Sequence, residues 1–343
     1  MNQALPDRNL LSPARPVRLG FLGVGWIGRH RMKAILNTGA AEAVVIADPS
    51  PEMAAEAREL APAAELASGL DELLAHELDG IVIATPSAQH AEQSIRALRN
   101  GISVFCQKPL GRTAEEVRSV VEAARAADRL LAVDLSYRQT EAMRKIRGLI
   151  RSGEIGKIFA ADLTFHNAYG PDKPWFYDKA LSGGGCVMDL GVHLVDMALW
   201  SLDFPKVTHV QSHLMSGGNP LPADGDQVED FAIATLVLEG GAIVRIACSW
   251  RLQAGREAVI GASFFGTNGG AAMRNVNGSF YDFKAERYQG TSTELLSGPP
   301  DAWGGRAASE WAMRLAAGET YDAACEKLVD VADVLDRIYR STG

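Results

Sequence analysis

From Val17 to about Tyr137, short apolar runs alternate with stretches in which apolar residues recur at helical spacing. The runs read RLGFLGV, AVVIAD, a weak AAELAS, GIVIAT, ISVFC and LLAVDL, short and aliphatic as buried strands are. Between them, EMAAEARELA, LDELLAHEL, AEQSIRALRNG and TAEEVRSVVEAARAAD are good helix formers with one apolar face, and Gly101 stands where a helix would close. This rhythm predicts a parallel α/β sheet. Right-handed crossovers would gather the loops that follow the strands at one sheet edge, where ligands bind in such sheets.

After a helix expected near Glu141 to Ser152 the pattern changes to longer, alternating runs: IFAADLTFHN, VTHVQSHLM, DFAIATLVLE, AIVRIACSWRL and EAVIGASFFG. Gly240-Gly241 between two of them is a hairpin signal. These runs predict a large, mostly antiparallel sheet with one face left open, a surface that invites a partner subunit. Tyr288 to Arg306, rich in Gly, Pro, Ser and Thr, reads as a surface loop before helices near Ser309–Ala317 and Asp322–Tyr339. The expected division is a loose tail over 1–15, a dinucleotide-binding domain over 16–136 and an α/β domain over 137–343.

Composition narrows the partners. With 343 residues, 47% of them hydrophobic, the chain can bury two domain cores, and its net charge of −8 without a basic stripe argues against nucleic acid and acidic membrane surfaces. Cys106, Cys186, Cys248 and Cys325 are scattered without a C-x-x-C pair, so neither a disulfide framework nor a zinc knuckle is expected. The first residues carry no apolar core with a cleavage site, and no run suits a membrane span; a cytoplasmic chain is the expectation.

The chemistry gathers at predicted strand ends. Gly23, Gly25 and Gly28 follow the first strand in the G-x-G-x-x-G spacing: one for the tight turn, one for close approach of a pyrophosphate, one for helix packing. The amides at the following helix start, Trp26 and Ile27, would hold the phosphates. Asp48 closes the second strand about 20 residues on, where a ribose-binding acid belongs; its other reading is an Asp-Pro turn. Thr85-Pro86 can border the ribose and nicotinamide, or Pro86 can simply start a helix. His90, a turn further, is counted with the cofactor contacts, the alternative being a solvated helix position.

Gln107-Lys108-Pro109 ends the ISVFC strand at the same edge, where Lys108 could donate to a substrate hydroxyl, against its plainer reading as a surface lysine. LSGGGCVMDLGVHLVDMALWSL reads as one helix in which Asp189 and His193, four residues apart, meet on one face. There His193 could abstract a hydroxyl proton with Asp189 orienting it, or the two could form a local ion pair. Gly183 to Gly185 would let the helix start approach another backbone or a ligand.

In order and spacing, G-x-G-x-x-G with Asp48, ATPSAQH, Gln107-Lys108-Pro109, SGEIGKI and GGGCVMDLGVH resemble the glucose-fructose oxidoreductase / inositol dehydrogenase / MocA family over nearly the whole chain. The resemblance implies a Rossmann domain followed by an α/β domain whose open sheet makes homodimer or homotetramer contacts. It implies a pyridine-nucleotide dehydrogenase or reductase acting on a sugar, a cyclic polyol or a related hydroxyl compound, with no metal. In that scheme His193 is the base, Lys108 holds the reacting oxygen and Asp189 fixes substrate or imidazole. His166 and Asn167 stand where relatives place substrate contacts, with Tyr137-Arg138 and Trp175 as further candidates. Asp48 suits NAD over NADP, and Arg58 is too far along its helix to be assigned a role. Gln107 stands where glutamate is usual, which would leave Lys108 without a neighbouring carboxylate. Two other activities known on this fold stay open: glycoside cleavage with recycled NAD, and noncatalytic dinucleotide or sugar binding in a regulatory protein.

Overall fold

A computed structural model describes residues 15–222 and 225–341. The tail expected over 1–15 lies outside the described residues except for Arg15. The first half runs β1 (Val17–Leu22), α1 (Trp26–Leu36), β2 (Ala41–Ala47), α2 (Pro51–Leu60), β3 (Glu65–Ala67), α3 (Leu70–Leu73), β4 (Gly80–Ile83), α4 (Ser87–Arg99), β5 (Ser103–Cys106), α5 (Ala114–Ala127) and β6 (Leu131–Val133). Its six strands are parallel in the order β3-β2-β1-β4-β5-β6. Strand order reverses between β1 and β4, so the crevice beyond their carboxyl ends is the place this topology gives a ligand. β4 and β5 are buried at every position, as strands covered by helices on both faces must be. LDELLAHEL, expected as a full helix, forms the single turn α3.

The second half runs α6 (Glu141–Arg151), β7 (Ile158–Asn167), α7 (Lys179–Ser182), α8 (Val192–Ser201), β8 (Val207–Ser216), β9 (Asn219–Pro220), β10 (Phe231–Leu238), β11 (Ile243–Ser249), β12 (Ala258–Gly266), β13 (Gly269–Asn275), β14 (Phe283–Gln289), β15 (Ser292–Ser297), α9 (Arg306–Ala316) and α10 (Lys327–Arg340). Nine strands form one sheet in the order β15-β14-β13-β12-β7-β11-β10-β8-β9, antiparallel apart from the β7–β11 pair. Alternate residues of β10 and β11 point into a core shared with α8 and α10, leaving Ile233, Ile243, Phe265 and Leu295 exposed on the other face. Gly240 and Gly241, both at positive φ, turn the β10–β11 hairpin.

Three expectations need correction. Part of the segment read as a surface loop over 288–306 pairs as the β14–β15 hairpin at the sheet edge, where Ser and Thr suit an exposed strand. The chain assigned wholly to a second domain after 137 returns to the first: Ala308, Trp311 and Ala312 of α9 bury against Leu19, Phe21 and Phe105. The single helix expected across 181–202 is broken into α7, a left-handed Gly183, a wide π-type turn at Val187–Gly191, and α8. No described helix is long and apolar enough to cross a membrane.

Candidate active site

A cleft of about 1230 Å³ runs from the glycine turn after β1, past the ends of β4, β5 and β6, to the segment before α8. That exceeds the roughly 300–1,000 Å³ of a site for one small ligand, leaving room for a dinucleotide and a second molecule.

At its first end the backbone dictates the residues. Gly23 has φ +81, and a Cβ there would lie 2.6 Å from the Ala84 carbonyl oxygen; a Cβ on Gly28 would collide with the Gly23 carbonyl. A Cβ on Gly25 would meet no protein atom within 4 Å and would enter the cleft. α1 begins at Trp26 with no side-chain cap, so its first amides remain free to donate. Trp26 is an exposed rim residue and Ile27 lines the cleft beside it. Asp48 makes the turn, with Oδ1 accepting from Ser50 N at 2.8 Å, while Oδ2 accepts from Val24 N at 2.7 Å to hold the glycine loop, and the carboxylate borders the cleft. These groups fit a dinucleotide.

Thr85 and Pro86 line the same cleft, with Thr85 Oγ1 donating to Gln93 Oε1 at 2.6 Å. His90 is not a solvated helix residue. It is 1% exposed, and its ring nitrogens lie 2.6 Å from the Pro109 carbonyl and 2.7 Å from the Thr85 carbonyl, tying two strand-end loops together. Burial lowers its pKa, against two hydrogen bonds that favour the charged ring.

At the other end Lys108 Nζ donates to Asp189 Oδ1 and to the Asp189 carbonyl, each at 2.6 Å. Asp189 Oδ2 also accepts from Trp250 Nε1 at 3.0 Å. The lysine therefore has a carboxylate after all, supplied from the second domain rather than from residue 107. Gln107 turns the other way and donates to Asp134 Oδ2 at 2.6 Å. Asp189 and His193 do not meet as expected: the wide turn between them breaks the four-residue register, and no hydrogen bond joins them. His193 instead lies edge-on to Tyr137, 4.8 Å between ring centres, and its Nδ1 is buried without a partner among the described residues. Burial, then the charges of Lys108 and Arg31, hold its pKa well below the ordinary histidine value. Such an imidazole is neutral near pH 7 and ready to accept a proton.

This segment is shaped from a distance. The buried Glu229 carboxylate accepts from Gly185 N at 3.0 Å, Val187 N at 2.8 Å and Tyr339 Oη at 2.8 Å. A Cβ on Gly184 would strike the Tyr339 hydroxyl, and one on Gly185 the Glu229 carbonyl oxygen. The glycines expected near a ligand or another backbone thus meet protein.

Of the further candidates, Trp175 reaches the cleft, stacked on Phe176 at 3.8 Å. The structure does not bring Arg138, His166 or Asn167 there. Arg138 is bound to Asp196 and lies over Trp200 and Phe204; His166 sits on the open sheet face, with Nδ1 2.8 Å from Ser249 Oγ; Asn167 closes β7 away from the cleft. Sequence reading missed Arg31, Asp134, Tyr281, Trp303 and the supporting Glu229. Asp134 could have been found, since it follows β6 at the edge where Gln107-Lys108 follows β5. Trp303 lies in an irregular segment that no periodicity marks.

Known proteins match both halves. Residues 17–135 match the model of an oxidoreductase family with an NAD-binding Rossmann fold, and residues 143–272 that of the GFO/IDH/MocA C-terminal domain. The chain is 28% identical over 235 residues to D-glucoside 3-dehydrogenase of Escherichia coli (strain K12), covering 66% of this chain and 64% of that protein. It is 29% identical over 324 residues to inositol 2-dehydrogenase of Rhizobium meliloti (strain 1021), covering 92% and 91%. A levoglucosan dehydrogenase solved with NADH and levoglucosan superimposes with a TM-score of 0.81 over 95% of this chain and 97% of that one; at 23% identity this likeness carries the fold. The chain belongs to the GFO/IDH/MocA family of oxidoreductases.

Proposed function

We propose that this protein is an NAD-dependent dehydrogenase of a sugar, cyclic polyol or related hydroxyl compound. The observation that carries the reading is His193, whose Nδ1 is buried without a hydrogen-bond partner among the described residues, lining with the Lys108–Asp189 pair a cleft continuous with the vacant-sided Gly25 turn. NAD, when bound, supplies the hydride acceptor. The Gly25 turn and the α1 amides hold its phosphates, and Asp48 faces the adenosine ribose. His193 takes the proton of the substrate hydroxyl. Lys108, with two donors engaged by Asp189, turns its remaining N–H to the same oxygen and steadies its developing charge. Trp175 and Tyr281 offer apolar faces to the C–H side of a polyol ring.

Asp48 favours NAD over NADP by charge repulsion with a 2′-phosphate; about 3 kcal/mol corresponds to roughly a hundredfold preference. The exposed face of the nine-stranded sheet supports a homo-oligomer, and the composition supports a cytoplasmic setting. The test is a panel of neutral sugars, inositols and sugar acids followed by NADH absorbance. NADH formation with a member of the panel is expected; sugar release from glycosides without net NADH, or NAD binding with no turnover on any compound, would overturn the reading.

A further inference from the structure

The residue that stands out in the cleft is one the proton chemistry does not use. Asp134 follows β6, is 1% exposed, and lines the cleft near Lys108 and Ser136. Its Oδ2 accepts from Arg31 Nε at 2.5 Å and from Gln107 Nε2 at 2.6 Å. Arg31, itself buried on α1, balances the charge and also reaches His30 Nδ1 at 2.9 Å. The second oxygen, Oδ1, is buried and has no hydrogen-bond partner among the described residues. An unpaired carboxylate oxygen in the interior is unfavourable, so its retention beside a cleft points to a donor that arrives with a ligand.

Two features narrow that donor. Asp134 lies on the β4–β5–β6 side of the strand-order reversal, with Lys108, whereas Asp48 ends β2 on the other side. A dinucleotide laid across the reversal with its adenosine at Asp48 brings its nicotinamide riboside half to β5 and β6. That half carries ribose hydroxyls and a carboxamide N–H₂, both donors. Gln107 meanwhile occupies the strand end where the resemblance leads one to expect glutamate, and it spends its amide on Asp134.

We propose that Asp134 is a cofactor-binding residue whose Oδ1 accepts a hydrogen bond from the nicotinamide riboside half of NAD, and that the carboxylate expected at position 107 has been moved to position 134 in this chain. The inference rests on the NAD reading above. It gives Gln107 a reason: two carboxylates 2.6 Å apart would repel, and the amide makes the contact a donor–acceptor pair.

The experiment is calorimetric titration of NAD, ADP-ribose and ADP into wild-type protein, Asp134→Asn, Gln107→Glu and the double variant Gln107→Glu/Asp134→Asn, with melting temperatures alongside. Asp134→Asn should weaken NAD binding roughly 10- to 100-fold, as loss of a charged hydrogen bond does, and leave ADP binding unchanged. ADP-ribose weakened in parallel places the bond at the ribose; ADP-ribose unaffected places it at the carboxamide. Gln107→Glu alone should lower both NAD affinity and melting temperature. The double variant, which returns a carboxylate to 107 and keeps a partner for Arg31, should fold and recover NAD binding to within a few-fold of wild type even if Asp134→Asn does not fold. Unchanged NAD binding in Asp134→Asn, an equal loss for ADP and NAD, or a double variant that binds NAD no better than Asp134→Asn or not at all would overturn the proposal. Wild-type protein that binds no NAD would instead overturn the reading beneath it.

Discussion

Two glycine-rich segments border the cleft, at 23–28 and at 183–185, and they are glycine-rich for different reasons. In the first, Gly23 and Gly28 are required by the turn itself, while Gly25 faces open space. In the second, the space beside Gly184 and Gly185 is already filled, by Tyr339 and Glu229. One segment leaves a space open to the cleft, and the other lets the chain pass close to Glu229 so that Asp189 and His193 reach the cleft beyond. Glycine content alone would not have separated them.

The comparison predicts that binding and chemistry come apart under mutation. The largest effect is expected at the chemical end: Lys108→Ala and His193→Ala should each lower turnover by roughly 10² to 10⁴, as loss of a positioned acid–base group does, with NAD affinity preserved. Steady-state rates beside NAD titrations check this; near-normal turnover in either variant would contradict the assigned roles. Next come the glycines. Gly25→Ala should leave the melting temperature alone and weaken NAD binding by at least about tenfold, whereas Gly185→Ala should cost about 1–3 kcal/mol of stability through overlap with the Glu229 carbonyl. Thermal melts and titrations of the pair would show the opposite ranking if both segments were ligand cradles.

Glu229 sharpens the contrast at smaller amplitude. Glu229→Gln keeps the volume but weakens acceptance from the amides of residues 185 and 187, for an expected loss of about 1–2 kcal/mol and a fall in kcat that exceeds any change in NAD affinity. An unchanged kcat in a stably folded variant would show that the segment does not depend on this anchor.

The mildest probe is pH. Because the His193 pKa lies well below 6.5 in the folded protein, the acid limb of kcat/KM should fall below pH 6.5. The same depression acts on stability. The unfolded chain binds more protons than the folded one between the lowered value and 6.5, so the stability present above 6.5 is lost as pH falls through that window. His193→Gln should flatten this slope in pH-dependent denaturation, leaving the part due to His30, His90 and His166, whose pKa values burial lowers in the same sense. An acid limb at or above 6.5 would mean that His193 is not the desolvated base described.

The first segment was legible in the sequence because everything that shapes it is local. Glycine spacing, an apolar run before it and Asp48 about one βαβ unit later fix a strand, a turn and a helix start with no knowledge of the rest of the chain. Sheet type was readable for the same reason, from strands separated by helices and then strands separated by turns. The second segment was legible only in composition. A helical period over 181–202 placed Asp189 over His193, but the wide turn at 187–191, held through Glu229 and Tyr339, moved the acid to Lys108. Arg138 and His166 differ likewise: the family resemblance makes them substrate-contact candidates, and side-chain partners in the core and on the open sheet face hold them away from the cleft.

The separation of a binding end from a chemical end is tested most directly by a crossed measurement on two variants. NAD affinity and the single-turnover rate of NADH formation at saturating NAD, with the substrate found in the panel, would be determined for Gly25→Ala and Lys108→Ala under identical conditions. The account predicts a crossing: weakened affinity with a near-normal rate in Gly25→Ala, and near-normal affinity with a rate lowered by roughly 10² or more in Lys108→Ala. Affinity and rate falling together in both variants would contradict it.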